Sequence, residues 1–129
     1  MTDTSPNLAL PFILPAQAQK HVTHNEALHR LDALVQLVVA GSATSPPADP
    51  QEGEIHWVLA PESGLWTGRA GKLAVFQDGA WVFITPKQGW SAVFLDTQRL
   101  KIFDEEAWMD QPLPEAGQFQ QLGIAATAD

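Results

Sequence analysis

The chain has 129 residues, 45% of them hydrophobic and 17% charged, with seven basic residues against fifteen acidic ones and a formal net charge of -8. One domain with a modest core is the expectation at this size, and so acidic a surface disfavours nucleic-acid phosphate and anionic membranes as partners. No cysteine is present, which excludes disulfides, thiolate metal sites and a thiol nucleophile.

Residues 1–13 read as an extended arm. Pro6 and Pro11 oppose helix there, while Leu8, Leu10, Phe12 and Ile13 are apolar. The Met1–Asn7 start lacks the basic run of a secretory signal, and the apolar stretch up to Leu14 is too short to span a bilayer. An arm of this kind lies either in a groove on another subunit or back on its own domain.

The one long helical pattern follows. Pro15 is acceptable in a first turn, and Thr23-His24-Asn25-Glu26 has the form of a capping box, which favours a firm start at Thr23. Gly41 provides a stop. Between them Ala27, Leu28, Leu31, Leu34, Val35 and Val38 fall on one stripe at helical spacing, with Glu26, His29, Arg30, Asp32 and Gln36 off it. Leu37 and Val39 widen the apolar surface towards the C-terminal end. A helix apolar nearly all round needs cover on more than one side. Leu28, Leu31, Leu34, Val35 and Val38 are the candidate oligomer interface within an N-terminal arm-and-helix unit of residues 1–41, the alternative being a helix lying in the groove of its own sheet.

Residues 42–53 contain Pro46-Pro47 and Pro50 and read as a semi-rigid linker. From Glu54 the period changes to two. Strands are expected over 54–59, 72–77, 80–85, 90–96, 100–104 and 107–109. Asp78-Gly79 predicts a type I′ hairpin turn. The run from Lys72 to Trp81 also aligns with the run from Arg99 to Trp108, matching basic, Leu, aliphatic, Phe, acidic, Ala and Trp positions, and a looser version ends at Trp66. The expected fold is α+β: an arm and one amphipathic helix, then an antiparallel meander or partial barrel of Trp-bearing hairpins over 54–110. Residues 111–129, rich in Pro, Gln and Ala, read as an extended C-terminal tail.

Catalytic constellations are weak. His21, His24 and His29 offer part of a metal face that no Cys or well-placed carboxylate completes. Asp104, Glu105, Glu106 and Asp110 lack the order of a calcium loop and fit a solvated turn. Gly68-Arg69-Ala70-Gly71-Lys72 lacks the spacing of a phosphate-binding loop, and no nucleophile elbow occurs. Among five tryptophans, Trp66, Trp90 and Trp108 lie beside polar turns and are the candidate glycan-stacking residues, with burial in a small core as the competing role. The expectation is a chain with no catalytic residues, metal or cofactor.

The stretch Leu14-Pro15-Ala16-Gln17-Ala18-Gln19-Lys20-His21-Val22-Thr23-His24-Asn25-Glu26-Ala27-Leu28 resembles a phage-associated family of uncharacterised domains, found in prophage tail-fibre proteins and in the head spikes of gene transfer agents. The resemblance continues through Gly64–Gly68, Asp78–Phe83 and Pro86–Trp90, covering most of residues 8–110. It implies a virion component assembled in the bacterial cytoplasm. The implied partners are further copies of itself, capsid or other virion proteins, a separate fibre and host surface polysaccharide, with no membrane insertion. Longer members continue into a second, projecting domain, so a chain with the anchoring half alone resembles a base or adaptor. No catalytic residue is carried over.

Overall fold

The computed structural model describes residues 3–12 and 20–111. Within them the order is α1 (Lys20–Leu34), β1 (Val38–Val39), β2 (Gly41–Ala43), β3 (Ile55–Val58), a single 3-10 turn at Gly64–Trp66, β4 (Leu73–Gln77), β5 (Ala80–Ile84), β6 (Ser91–Phe94), β7 (Arg99–Phe103) and β8 (Trp108–Asp110). The protein is α+β. Its strands form two four-stranded sheets, β2-β3-β4-β5 (sheet I) and β1-β6-β7-β8 (sheet II), and neither closes into a barrel.

The internal repeat of the sequence is a repeat of topology. Each sheet is a short parallel edge strand followed by a three-stranded antiparallel meander. The registers coincide as well. Val75 opposite Val82 and Phe76 opposite Trp81 in sheet I match Ile102 opposite Met109 and Phe103 opposite Trp108 in sheet II. Trp57 opposite Leu73 matches Val93 opposite Leu100. Even the parallel edges agree, since Ser42 pairs with Trp57 where Val38 pairs with Val93. Asp78 and Gly79 both have positive φ, 52° and 75°, as the type I′ turn requires. The looser copy ending at Trp66 is not a hairpin; Trp66 closes the 3-10 turn.

The helix differs from its expected form at both ends. The chain is already helical at Lys20, so Thr23 lies inside the helix rather than at its cap, and Pro15 lies outside the described residues. At the other end the helix stops at Leu34, not near Gly41. Beyond a turn at Val35-Gln36 the β-branched pair Val38-Val39 is extended, because strand pairing satisfies its backbone: Val93 N–H donates to Leu37 O and Leu95 N–H to Val39 O. The expected linker at 42–53 likewise begins as strand, β2 pairing with β3.

One core joins helix and both sheets. Ala33, Leu37 and Val39 are buried with Trp57, Leu73 and Val75 of sheet I and Phe94, Phe103 and Trp108 of sheet II. The Trp57 ring meets those of Phe103 and Trp108 edge-on at 5.7 and 5.9 Å between centroids. Such pairs add about 0.5–1.5 kcal/mol beyond their area.

The arm folds onto its own helix. Asp32, expected on the solvent side, is buried, and its carboxylate accepts the Ser5 hydroxyl and the backbone N–H groups of Asn7 and Leu8. Asn7 also donates to Gly53 O at 3.2 Å. Gly53 has φ +88°, and a Cβ there would come within 2.5 Å of Asn7 Oδ1, so only glycine fits. The clamp turns the Asn25, His29, Asp32 edge of α1 inwards and leaves Leu31 outside. We expect Asp32→Ala to cost about 2 kcal/mol in urea unfolding and to expose residues 3–12 to protease; unchanged stability and an uncut arm would contradict the clamp.

Candidate functional site

The expected helical interface is split by the shortened helix. Leu34 packs half-buried against the core and Leu28 is half-buried, whereas Leu31 (50% exposed), Val35 (60%) and Val38 face solvent. Val38 reaches that surface from β1, not from a helix.

The strand register explains where this surface leads. Side chains alternate across a sheet, so Val38, Val93 and Leu100 form one row on the outer face of sheet II, and Ser91, Ile102 and Met109 form the next. Val38, Val93, Leu100 and Met109 are each 38–52% exposed. Among the described residues nothing covers this face. It runs into a groove of about 660 Å3 lined by Val35, Val38, Trp90, Val93 and Leu100. Apolar rows facing water mark interaction surfaces, because apolar area removed from water is worth about 25 cal/mol per Å2. The sequence concealed this face, since alternation over 100–104 does not say which side of a strand meets the core.

The tryptophans divide differently from the expectation. Trp66 is 0% exposed, and Trp108 is buried in the main core, so neither can stack on a glycan. Both indole N–H groups are buried without an acceptor among the described residues. Trp90 is half-buried against the core at the wall of the 660 Å3 groove. The accessible aromatic group is one that sequence reading missed: Phe76, Trp81 and Phe83 on the other face of sheet I. With Leu65, Pro46 and Pro47 they line a groove of about 440 Å3. Alternation within β4 and β5 held the signal, as these rings alternate along the strands with Val75 and Val82, which point to the other side.

Polar groups near this groove are already engaged. His56 lies between Trp66 and Trp81, at 5.7 and 6.1 Å, and donates to the Glu54 carboxylate. Partial burial pushes the Glu54 carboxyl up, but the Gln51 N–H and the bond and charge of His56 outweigh it and leave it below the usual range. The Glu62 carboxyl is held low by its own backbone N–H and by those of Gly68 and Ala70. Gly68 N–H is thus taken by Glu62 at 3.0 Å, and Gly71 N–H by Val58 O, so the 68–72 loop has a structural use for these donors. Asp104 closes the last hairpin by accepting Glu106 and Ala107 N–H, which lowers its pKa, while Asp110 pairs with Arg99 and Lys101. Among the described residues no three His, Asp or Glu side chains gather in a way that could hold a metal ion.

Residues 24–109 match a family described as "Protein of unknown function (DUF2793)", and the chain belongs to that family. No curated protein matches the chain. No helix among the described residues is long and apolar enough to cross a membrane.

Two outcomes test this placement. Trp66→Ala should cost about 3–5 kcal/mol in urea unfolding, while the neighbouring Leu65→Ala, at 77% exposure, should stay within about 0.5 kcal/mol. Equal effects would contradict the burial assigned to Trp66. The folded pKa of Glu54 lies below its unfolded value, so its stabilisation is complete above the ordinary carboxylate range and is lost as pH falls through the folded value. Glu54→Gln should therefore flatten part of the acid limb of a melting-temperature profile; an unaltered acid limb would count against this role.

Proposed function

We propose that this chain is a structural assembly part, the base or adaptor of a head spike or tail fibre on a phage-like particle, and not an enzyme. The observation that carries the reading is the outer face of sheet II. Val38, Val93, Leu100 and Met109 stand exposed among the described residues in two neighbouring rows, which run into a groove that Val35 also lines. A chain of net charge -8 would be kept soluble by its charge, so an apolar face left on it favours a protein partner. The long N-terminal motif and its resemblance to spike and fibre domains support the setting. On this reading the chain associates with copies of itself and with capsid or other virion proteins, carries a separate fibre, and supports attachment to the host surface.

Direct glycan binding is the lesser reading. Two of its three indoles, Trp66 and Trp108, are buried. What favours it is the Phe76, Trp81, Phe83 groove, whose flat rings could stack on a sugar.

Particles assembled without this chain should package DNA normally but lose surface fibres and adsorb to host cells several-fold less. Fibres and adsorption retained at normal levels would contradict the adaptor role.

A further inference from the structure

The duplication assigns corresponding faces to the two sheets. Call the first face the one carrying Ile55, Trp57, Leu73, Val75 and Val82 in sheet I; the register gives Ser91, Val93, Leu100, Ile102 and Met109 as its counterpart in sheet II. The second face carries Phe76 and Trp81 in sheet I and Phe103 and Trp108 in sheet II. Inside the molecule the first face of sheet I packs on the second face of sheet II, through Trp57 on Phe103 and Trp108. The two sheets are therefore stacked in the same sense rather than back to back.

Stacking in one sense leaves one face of each kind at the ends. The first face of sheet II is the bare pair of rows carrying Val38, Val93, Leu100 and Met109. The second face of sheet I is covered in part by the segment 59–72, whose Trp66 meets Trp81 at 5.3 Å, and between that cover and the Pro46-Pro47 loop the aromatic groove stays open. Stacked repeats close their ends with polar caps, and the bare row has none among the described residues.

We propose that the bare face of sheet II docks into the Leu65, Phe76, Trp81, Phe83 groove of a second copy, repeating between chains the packing that holds the two sheets together within one. This rests on the self-association proposed above and gives it a mode. The contact is head-to-tail: each copy offers one face and receives another, so it propagates and closes only as a ring. It differs from a two-fold pairing of bare faces, which would stop at a dimer and leave the groove unused. Because every copy is strongly acidic, added salt should strengthen the association by screening repulsion between them.

The test uses the full chain and two exposed positions, Leu100 (44%) and Leu65 (77%). Sedimentation velocity is run on wild type, Leu100→Glu, Leu65→Glu and an equimolar mixture of the two variants, with near-UV circular dichroism and urea midpoints matching wild type as the folding control. Wild type should form an oligomer larger than a dimer, and each variant alone should associate about tenfold or more weakly. The mixture should regain one contact and stop at a one-to-one dimer, because each variant keeps the face the other lacks. Leu65→Glu assembling like wild type while Leu100→Glu does not would overturn the head-to-tail mode and leave self-association standing. A mixture that stays monomeric would overturn it as well. Wild type that stays monomeric at high concentration removes both readings.

Discussion

Everything in this fold depends on how six consecutive residues are shared. Val38–Val39 pairs with β6 and Gly41–Ala43 pairs with β3, so one extended run is the parallel edge of both sheets. Ala40 N–H donates to Ile55 O at 2.7 Å between the two halves. Val39, fully buried, sits at the junction. A run serving two sheets fixes their separation and relative sense before any side chain is considered. It also forces the helix to end early, because its last expected turn is needed as strand.

The asymmetry of the molecule follows from that sharing. Two sheets of equal topology are stacked in one sense, so the Trp57 side of one meets the Trp108 side of the other, and a matched pair of faces remains at the ends. The long β3–β4 connection partly covers one end with Trp66. The β6–β7 connection, only residues 95–98, is too short to reach over any face. Cover is thus a property of loop length, and the short loop leaves the apolar face of sheet II uncovered among the described residues. On the helical side Asp32 does the equivalent work: by binding the arm it draws a polar edge inwards and turns Leu31 outwards.

The β region was legible in the sequence because its signals are local. Period-two runs, the Asp78-Gly79 turn and the alignment of Lys72–Trp81 with Arg99–Trp108 each depend on near neighbours, and the matching registers follow from that alignment. The helix end was not legible. Val38 and Val39 suit an apolar helix end and a strand equally well, and strand partners more than fifty residues away decide the outcome. Asp32 was misplaced for a similar reason, since a charge leaves solvent only when donors such as Asn7 and Leu8 N–H converge on it. The sequence left Trp66 and Trp108 open between exposure and the core, because polar neighbours in sequence say little about which way an indole turns, and both take the core role. Of the expected interface, Leu31, Val35 and Val38 lie at the surface, but only Val38 belongs to the exposed sheet face, and it reaches it from β1.

The most direct measurement is a side-chain-resolution density map of the assembled particle around the axis that carries this chain. The predicted result is Leu100 and Met109 of each copy seated against Leu65 and Trp81 of the next, repeated around the axis. Copies absent from the particle, or present with the outer face of sheet II open to solvent, would contradict it.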